Sequence, residues 1–124
     1  MDILKLVKEK EEKVIKIRRD LHQIPELELE LPKTMEYISK VLDEIGVNYK
    51  KLLNGNAIVV QIDGEQEGKC IAIRADSDAL PVIEETGLSF ASTNGNMHAC
   101  GHDGHTAMAL GACMILNENR NKLK

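Results

Sequence analysis

The 124-residue sequence predicts an α/β fold in the order helix, helix, strand, strand, loop, helix. Three observations predict it. Apolar residues recur at helical spacing over 2–21 and 32–45. Two short runs rich in Ile and Val follow, bounded by turn residues. A last segment, 106–117, is long and apolar enough for a buried helix.

In the first segment Leu4, Val7, Val14, Ile17 and Leu21 fall near one stripe of a 3.6-residue repeat. Lys and Glu fill the other face, many as opposite-sign pairs at helical spacing. Asp2 is placed to cap the N-terminus, and Pro25 closes the region because its ring disfavours helix in the residue before it. In the second segment Pro32 suits a first-turn position. Met35, Ile38, Val41, Leu42 and Ile45 form the apolar stripe, and Gly46 stands where a left-handed cap is expected.

The runs Asn56–Ile62 and Cys70–Ala75 read as strands, and Asp63-Gly64 and Gly68 mark the turn region between them. The simplest expectation is an antiparallel pair joined by a short loop and buried on both faces. Residues 81–96 look irregular, with a turn at Asn94-Gly95-Asn96. The helix expected at Thr106–Asn117 is apolar nearly all round and asks for burial on every side. A lone chain of this size can hardly provide that, so more protein is expected around it.

Apolar residues are 43% and charged residues 29% of the chain, the balance of a globular protein. No run approaches the ~18 apolar residues that cross a bilayer, and the N-terminus lacks a signal-peptide core. A cytoplasmic location is the expectation. The net charge of −4 and the scarcity of aromatics (Tyr37, Tyr49, Phe90, no Trp) argue against nucleic acid or membrane as the partner. Three cysteines form no disulfide framework. Cys70 and Cys113 lie in apolar runs and read as core fillers.

Chemistry concentrates at Met97-His98-Ala99-Cys100-Gly101-His102-Asp103-Gly104-His105-Thr106. Imidazole, thiolate and carboxylate bind divalent transition metals, and the glycines let side chains two apart converge on one ion. The following helix dipole and a bound cation would favour the Cys100 thiolate. A second stretch, Arg74-Ala75-Asp76-Ser77-Asp78-Ala79-Leu80-Pro81, sets two acids after a strand. They could orient a metal-bound histidine or be solvated acids of a capped turn. His22, taken alone, reads as structural.

The run His98–Thr106 resembles the signature of the M20 metallopeptidase clan, in its branch of N-acyl amino acid amidohydrolases (hippurate hydrolases, aminoacylase-like enzymes and auxin-conjugate hydrolases). The stretches 18–26 and 74–81 match in the same order and rough spacing, so nearly the whole chain is covered. The resemblance implies the N-terminal portion of a zinc-peptidase-like catalytic domain, with a smaller inserted domain and the remainder of the catalytic domain absent from these 124 residues. It implies two divalent ions per complete site (manganese, zinc or cobalt), with Cys100 and His102 as ligands. Asp78 would orient a metal-bound histidine, and Asp76 falls where the wider clan has a histidine ligand. Asp103 and His105 are further candidates for the site. The substrate implied is a small N-acyl amino acid, cleaved at its amide bond.

The family's general base is a glutamate in a Glu-Glu pair beyond this helix, and Glu118 is followed by Asn119. The chain by itself is therefore expected to be inactive. Two rivals stay open. One is a hydrolase using Cys100 as nucleophile with His102 or His105 as base. The other is a non-catalytic metal-binding fragment. Exposed apolar surface makes a homo-oligomer a further expectation.

Overall fold

Three α-helices and one two-stranded sheet make up the computed structural model, which describes residues 1–124. The first helix, α1, spans Ile3–His22. Asp2 caps it as expected, its carboxylate accepting from the Lys5 N–H at 3.2 Å. The expected stripe is only half used. Ile17 and Leu21 are buried and Val14 packs on the core, but Leu4 is 75% exposed and Val7 48%. The third helix, α3 (His102–Glu118), runs antiparallel beside α1. Its start meets His22 and its last residue, Glu118, pairs with Lys10 at 2.6 Å. The turns of α1 before Lys10 therefore extend past the end of their neighbour and have nothing to bury against.

The second helix, α2, spans Pro32–Ile45 and ends at Gly46 with φ 78°, the left-handed cap expected of glycine. Its N-cap position, Leu31, offers no side-chain acceptor. Glu26 does this work from outside the helix. Its two carboxylate oxygens accept from Thr34 N–H at 2.7 Å and Lys33 N–H at 3.1 Å, which satisfies two orphan donors and places negative charge at the positive helix end.

The sheet differs from expectation. The strand expected at Asn56–Ile62 is present as β2 (Ala57–Val60), but it pairs antiparallel with β1 (Tyr49–Leu52), with Tyr49 opposite Val60 and Leu52 opposite Ala57. The hairpin turns through Leu53, Asn54 and Gly55, all with positive φ. Asn54-Gly55 is the dipeptide such turns favour. Cys70–Ala75 is not a strand. Ile71 is 85% exposed and Ile73 63%, and Cys70 is exposed rather than a core filler. An apolar run becomes a strand only when another segment completes its ladder, and none of these residues does so.

The core lies among the three helices: Ile17 and Leu21 from α1, Met35 and Leu42 from α2, Leu110 and Met114 from α3, with Ile58 and Val60 of the hairpin packed at its edge. Cys113 is buried here as expected, and burial pushes its thiol pKa up. The helix α3 begins four residues before the expected Thr106, and it is not buried all round, since Met108 is 61% exposed. Where α1 crosses it, Gly111 is required. A Cβ there would stand 2.7 Å from Cγ2 of Val14, and a β-branched side chain in a helix has little rotamer freedom to yield. Replacing Gly111 with Leu should lower stability by about 1–3 kcal/mol, because overpacking outweighs the ~1 kcal/mol gained in helix propensity. Urea unfolding monitored by circular dichroism checks this, and an unchanged midpoint would contradict the close approach.

Candidate metal centre

The fold draws the three distinctive stretches of sequence together. The Ala79 N–H donates to the Glu26 carbonyl at 2.7 Å, and Leu80 and Met97 exchange both backbone hydrogen bonds at 2.9 Å. The Asn94 amide donates to the Pro25 carbonyl at 2.9 Å. Residues 22–26, 76–81 and 97–106 thus meet at the N-terminal end of α3.

That end is built from glycine. Gly101 has φ 86° and its carbonyl accepts from Gly104 and His105, so His102, Asp103 and His105 belong to the first turn of the helix rather than to a loop. His102 Nδ1 lies 2.9 Å from both the Asp78 carbonyl oxygen and Asp78 Oδ1. A carbonyl can only accept, so Nδ1 is the donor in this contact. Nε2 lies 3.3 Å from Asp76 Oδ2. The other oxygen of Asp76 accepts from His105 Nδ1 at 2.6 Å, and its backbone carbonyl accepts from the Thr106 hydroxyl at 2.9 Å. The hydrogen bond from His105 holds the Asp76 carboxyl below the usual carboxylate range, with help from the charges of His102 and His105. The two imidazoles stack with centroids 5.5 Å apart.

Potential ligand atoms of Asp76, His102 and His105 all lie within 4.8 Å of one another. Cys100 is not in that group. It is exposed, one residue before the helix cap Gly101, and makes no hydrogen bond to a histidine. Asp78 stands behind His102, and its side chain is 41% exposed.

Asp103 points the other way. Its side chain is 0% exposed, and Oδ2 accepts from His22 Nδ1 at 2.6 Å and is ion-paired with the Arg18 guanidinium, Nε at 2.9 Å. Its other oxygen accepts from Gly104 N–H at 2.8 Å. His22 is buried, as its structural reading anticipates. Its Nε2 approaches Glu84 Oε1 at 2.8 Å, off the line of an aligned hydrogen bond. Burial pushes the Glu84 pKa up, but the Ser92 N–H, the Thr86 hydroxyl and the charge of His22 together bring it below the usual range. Arg18 and Arg19 lie over the Phe90 ring, at 5.4 Å and 4.9 Å from its centroid. His98 is 4% exposed, neither ring nitrogen has a partner, and burial lowers its pKa.

Sequence reasoning did not reach Arg18, Glu84 or the Asp103–His22 contact. Arg18 and His22 are four apart on a helix and so share a face, which was the available signal. Nothing in the sequence marks Glu84.

Residues 72–124 match Peptidase family M20/M25/M40. The chain is 50% identical to the N-acetyl-L-cysteine deacetylase of Bacillus subtilis over 92% of its own length and 28% of that protein. It is 42% identical to the N-acyl-L-amino acid amidohydrolase of Geobacillus stearothermophilus over 99% of its length and 34% of that protein. It therefore spans about three-tenths of the length of the curated relatives it matches. Among solved structures, the Bacillus subtilis YxeP protein, a dinuclear metal binding peptidase from the M20 family, superposes with TM-score 0.87 at 43% identity, over 94% of this chain and 33% of that one. A protein from methicillin-resistant Staphylococcus aureus superposes with TM-score 0.90 at 46% identity, over 97% and 31%. The fold described above is thus that of the corresponding portion of M20 structures, and these relatives include amidohydrolases and deacetylases.

The exposure of Cys100 and Cys70 and the burial of Cys113 predict a simple thiol count. Iodoacetamide should label two thiols of the native chain rapidly and the third only on unfolding. Mass spectrometry of the intact protein reads the count, and slow labelling of Cys100 would contradict its open position.

Proposed function

We propose, on the premise that this chain belongs to Peptidase family M20/M25/M40, that its residues form one side of a divalent-metal centre that hydrolyses the amide bond of small N-acyl amino acids. The observation that carries the reading is the state of His102. Asp78 holds Nδ1 as the donor, the ring is fixed, and Nε2 is turned toward Asp76 and the space beside it. That is how a metal-binding imidazole is normally prepared, with its far nitrogen donating to a carbonyl or carboxylate.

The donors present fit such an ion. Cys100 offers an exposed sulfur two residues from His102, across the glycine cap of α3. We assign Cys100 and His102 as ligands, with Asp78 as the residue that orients His102. Asp76 and His105 stand beside them and can adjust the charge at the ion or take a place in its shell. Thiolate, imidazole and carboxylate together suit zinc, cobalt or manganese, two ions in a complete site. When bound, such ions polarise the substrate carbonyl and make water a nucleophile near neutral pH. The chain's own residues hold and orient. His102 is held by Asp78 at Nδ1, and Asp76 stays ionised beside two imidazoles.

Catalytic zinc sites generally use three protein ligands and need a base. Cys100 and His102 supply two ligands, and no Glu-Glu pair follows α3 in these residues. The 124 residues alone should bind metal without turning substrate over. A Cys100 nucleophile is disfavoured because neither neighbouring imidazole hydrogen-bonds to the thiol.

Native mass spectrometry after loading with zinc or manganese tests the reading. The wild-type chain should retain metal, and Cys100→Ser and His102→Gln should each lose it while keeping the helical circular dichroism. Equal retention by all three proteins would overturn the ligand assignment. Chelator-sensitive hydrolysis of an N-acetyl amino acid by the 124-residue chain would overturn the claim that its residues do not suffice.

A further inference from the structure

We propose that Asp103 is a positioning residue for the metal centre, fixing the first turn of α3 against α1 so that His102 is aimed at the ion. This rests on the reading of His102 as a ligand. Asp103 does not reach the centre itself, since its side chain is 0% exposed and turned toward α1.

The first turn of α3 has little of its own to hold it. Its N-cap is Gly101 with no side-chain cap, and Gly104 lies inside the turn. Glycine weakens a helix by removing both packing and conformational restriction. No aliphatic side chain of residues 101–105 anchors the turn in the core. The fixed point is the Asp103 carboxylate, which accepts from His22 Nδ1 and the Gly104 N–H and is ion-paired with the Arg18 guanidinium. His22 is in turn held from behind by Glu84 and by the edge of Phe90, 5.7 Å away between ring centroids.

Consecutive helical residues project about 100° apart. With Asp103 pinned toward α1, His102 must emerge on the flank where the Asp78 carbonyl lies. A rotation or fraying of this turn would break the His102–Asp78 contact, which joins residues 24 apart in sequence. The Nδ1–H form that turns Nε2 toward the centre would then no longer be selected. A carboxylate suits this position because every partner is a donor. An Asn would offer a single acceptor oxygen and set its NH₂ group either against the Gly104 N–H or against the His22 and Arg18 pair.

The test compares the wild-type 124-residue chain with Asp103→Ala, Asp103→Asn and a packing control, Leu110→Ala, which weakens α3 without touching the Asp103 partners. Side-chain ¹⁵N spectra read the His102 tautomer, and visible absorption of added cobalt(II) reads affinity, both well below each variant's Tm. We expect a single Nδ1–H tautomer at His102 in the wild type and in Leu110→Ala. Asp103→Ala should show averaged tautomers and a loss of cobalt affinity of about tenfold or more, with Asp103→Asn in between. A retained tautomer and unchanged affinity in Asp103→Ala would overturn the proposal, as would equal losses in Leu110→Ala. If Asp103→Ala does not fold, Asp103→Asn and His22→Gln carry the same comparison. Should the wild type bind no cobalt while Asp103→Ala still loses the His102 tautomer, the ligand reading fails and the positioning role stands.

Discussion

A buried carboxylate holds this structure in register. Asp103 has a fully enclosed side chain, and a charge so enclosed is costly unless it is paired and hydrogen-bonded on all sides. His22 and Arg18 meet that requirement from consecutive turns of α1. Removing one partner of such a pair typically costs about 3–5 kcal/mol, much of it the penalty of stranding the other. The interaction therefore does more than add stability. It permits only one rotation of α3 against α1, and Gly111 lets the two helices close together further along.

The candidate metal centre follows from that registration. With α3 fixed, His102 and His105 leave its first turn toward the segment 76–78, where Asp78 takes the proton-bearing nitrogen of one and Asp76 binds the other. The segment is held in place by backbone bonds from Ala79 to Glu26 and from Leu80 to Met97. Glu26 in turn caps α2 through its side chain. Three stretches distant in sequence are thus connected by a short series of polar contacts, and the side chains able to bind metal lie on their solvent side. The opposite side is the Leu21–Leu42–Leu110 core.

Much of this was legible from sequence, for physical reasons that differ by element. The α2 boundaries follow directly from Pro32, a clean apolar stripe and Gly46, each acting locally. The cluster 98–106 was legible because so many ligating side chains fall so close together. The start of α3 was not, because Gly101 and Gly104 look like loop residues. Only the left-handed Gly101 and the tertiary hold on Asp103 make them the opening of a helix. The pairing of β2 with β1 is not legible in the sequence because Tyr49–Leu52 is mostly polar and Asn54-Gly55 competes with Asp63-Gly64 as a turn signal. The exposed run Cys70–Ala75 carries the composition of a buried strand, yet no segment here supplies a ladder for it. Composition records what a segment can bury, and pairing depends on what else is present.

The most direct test of the central claim is a double-mutant cycle between His22 and Asp103. It would use His22→Ala, Asp103→Ala and the double variant, with urea unfolding of each. If the buried carboxylate couples α1 to α3 as described, the two substitutions should be strongly non-additive, with a coupling energy of about 1.5–3 kcal/mol, the range for a hydrogen bond to a charged group. Additive losses, within about 0.5 kcal/mol, would show that the two side chains are neighbours without being the registering contact, and the account of how this centre is assembled would be contradicted.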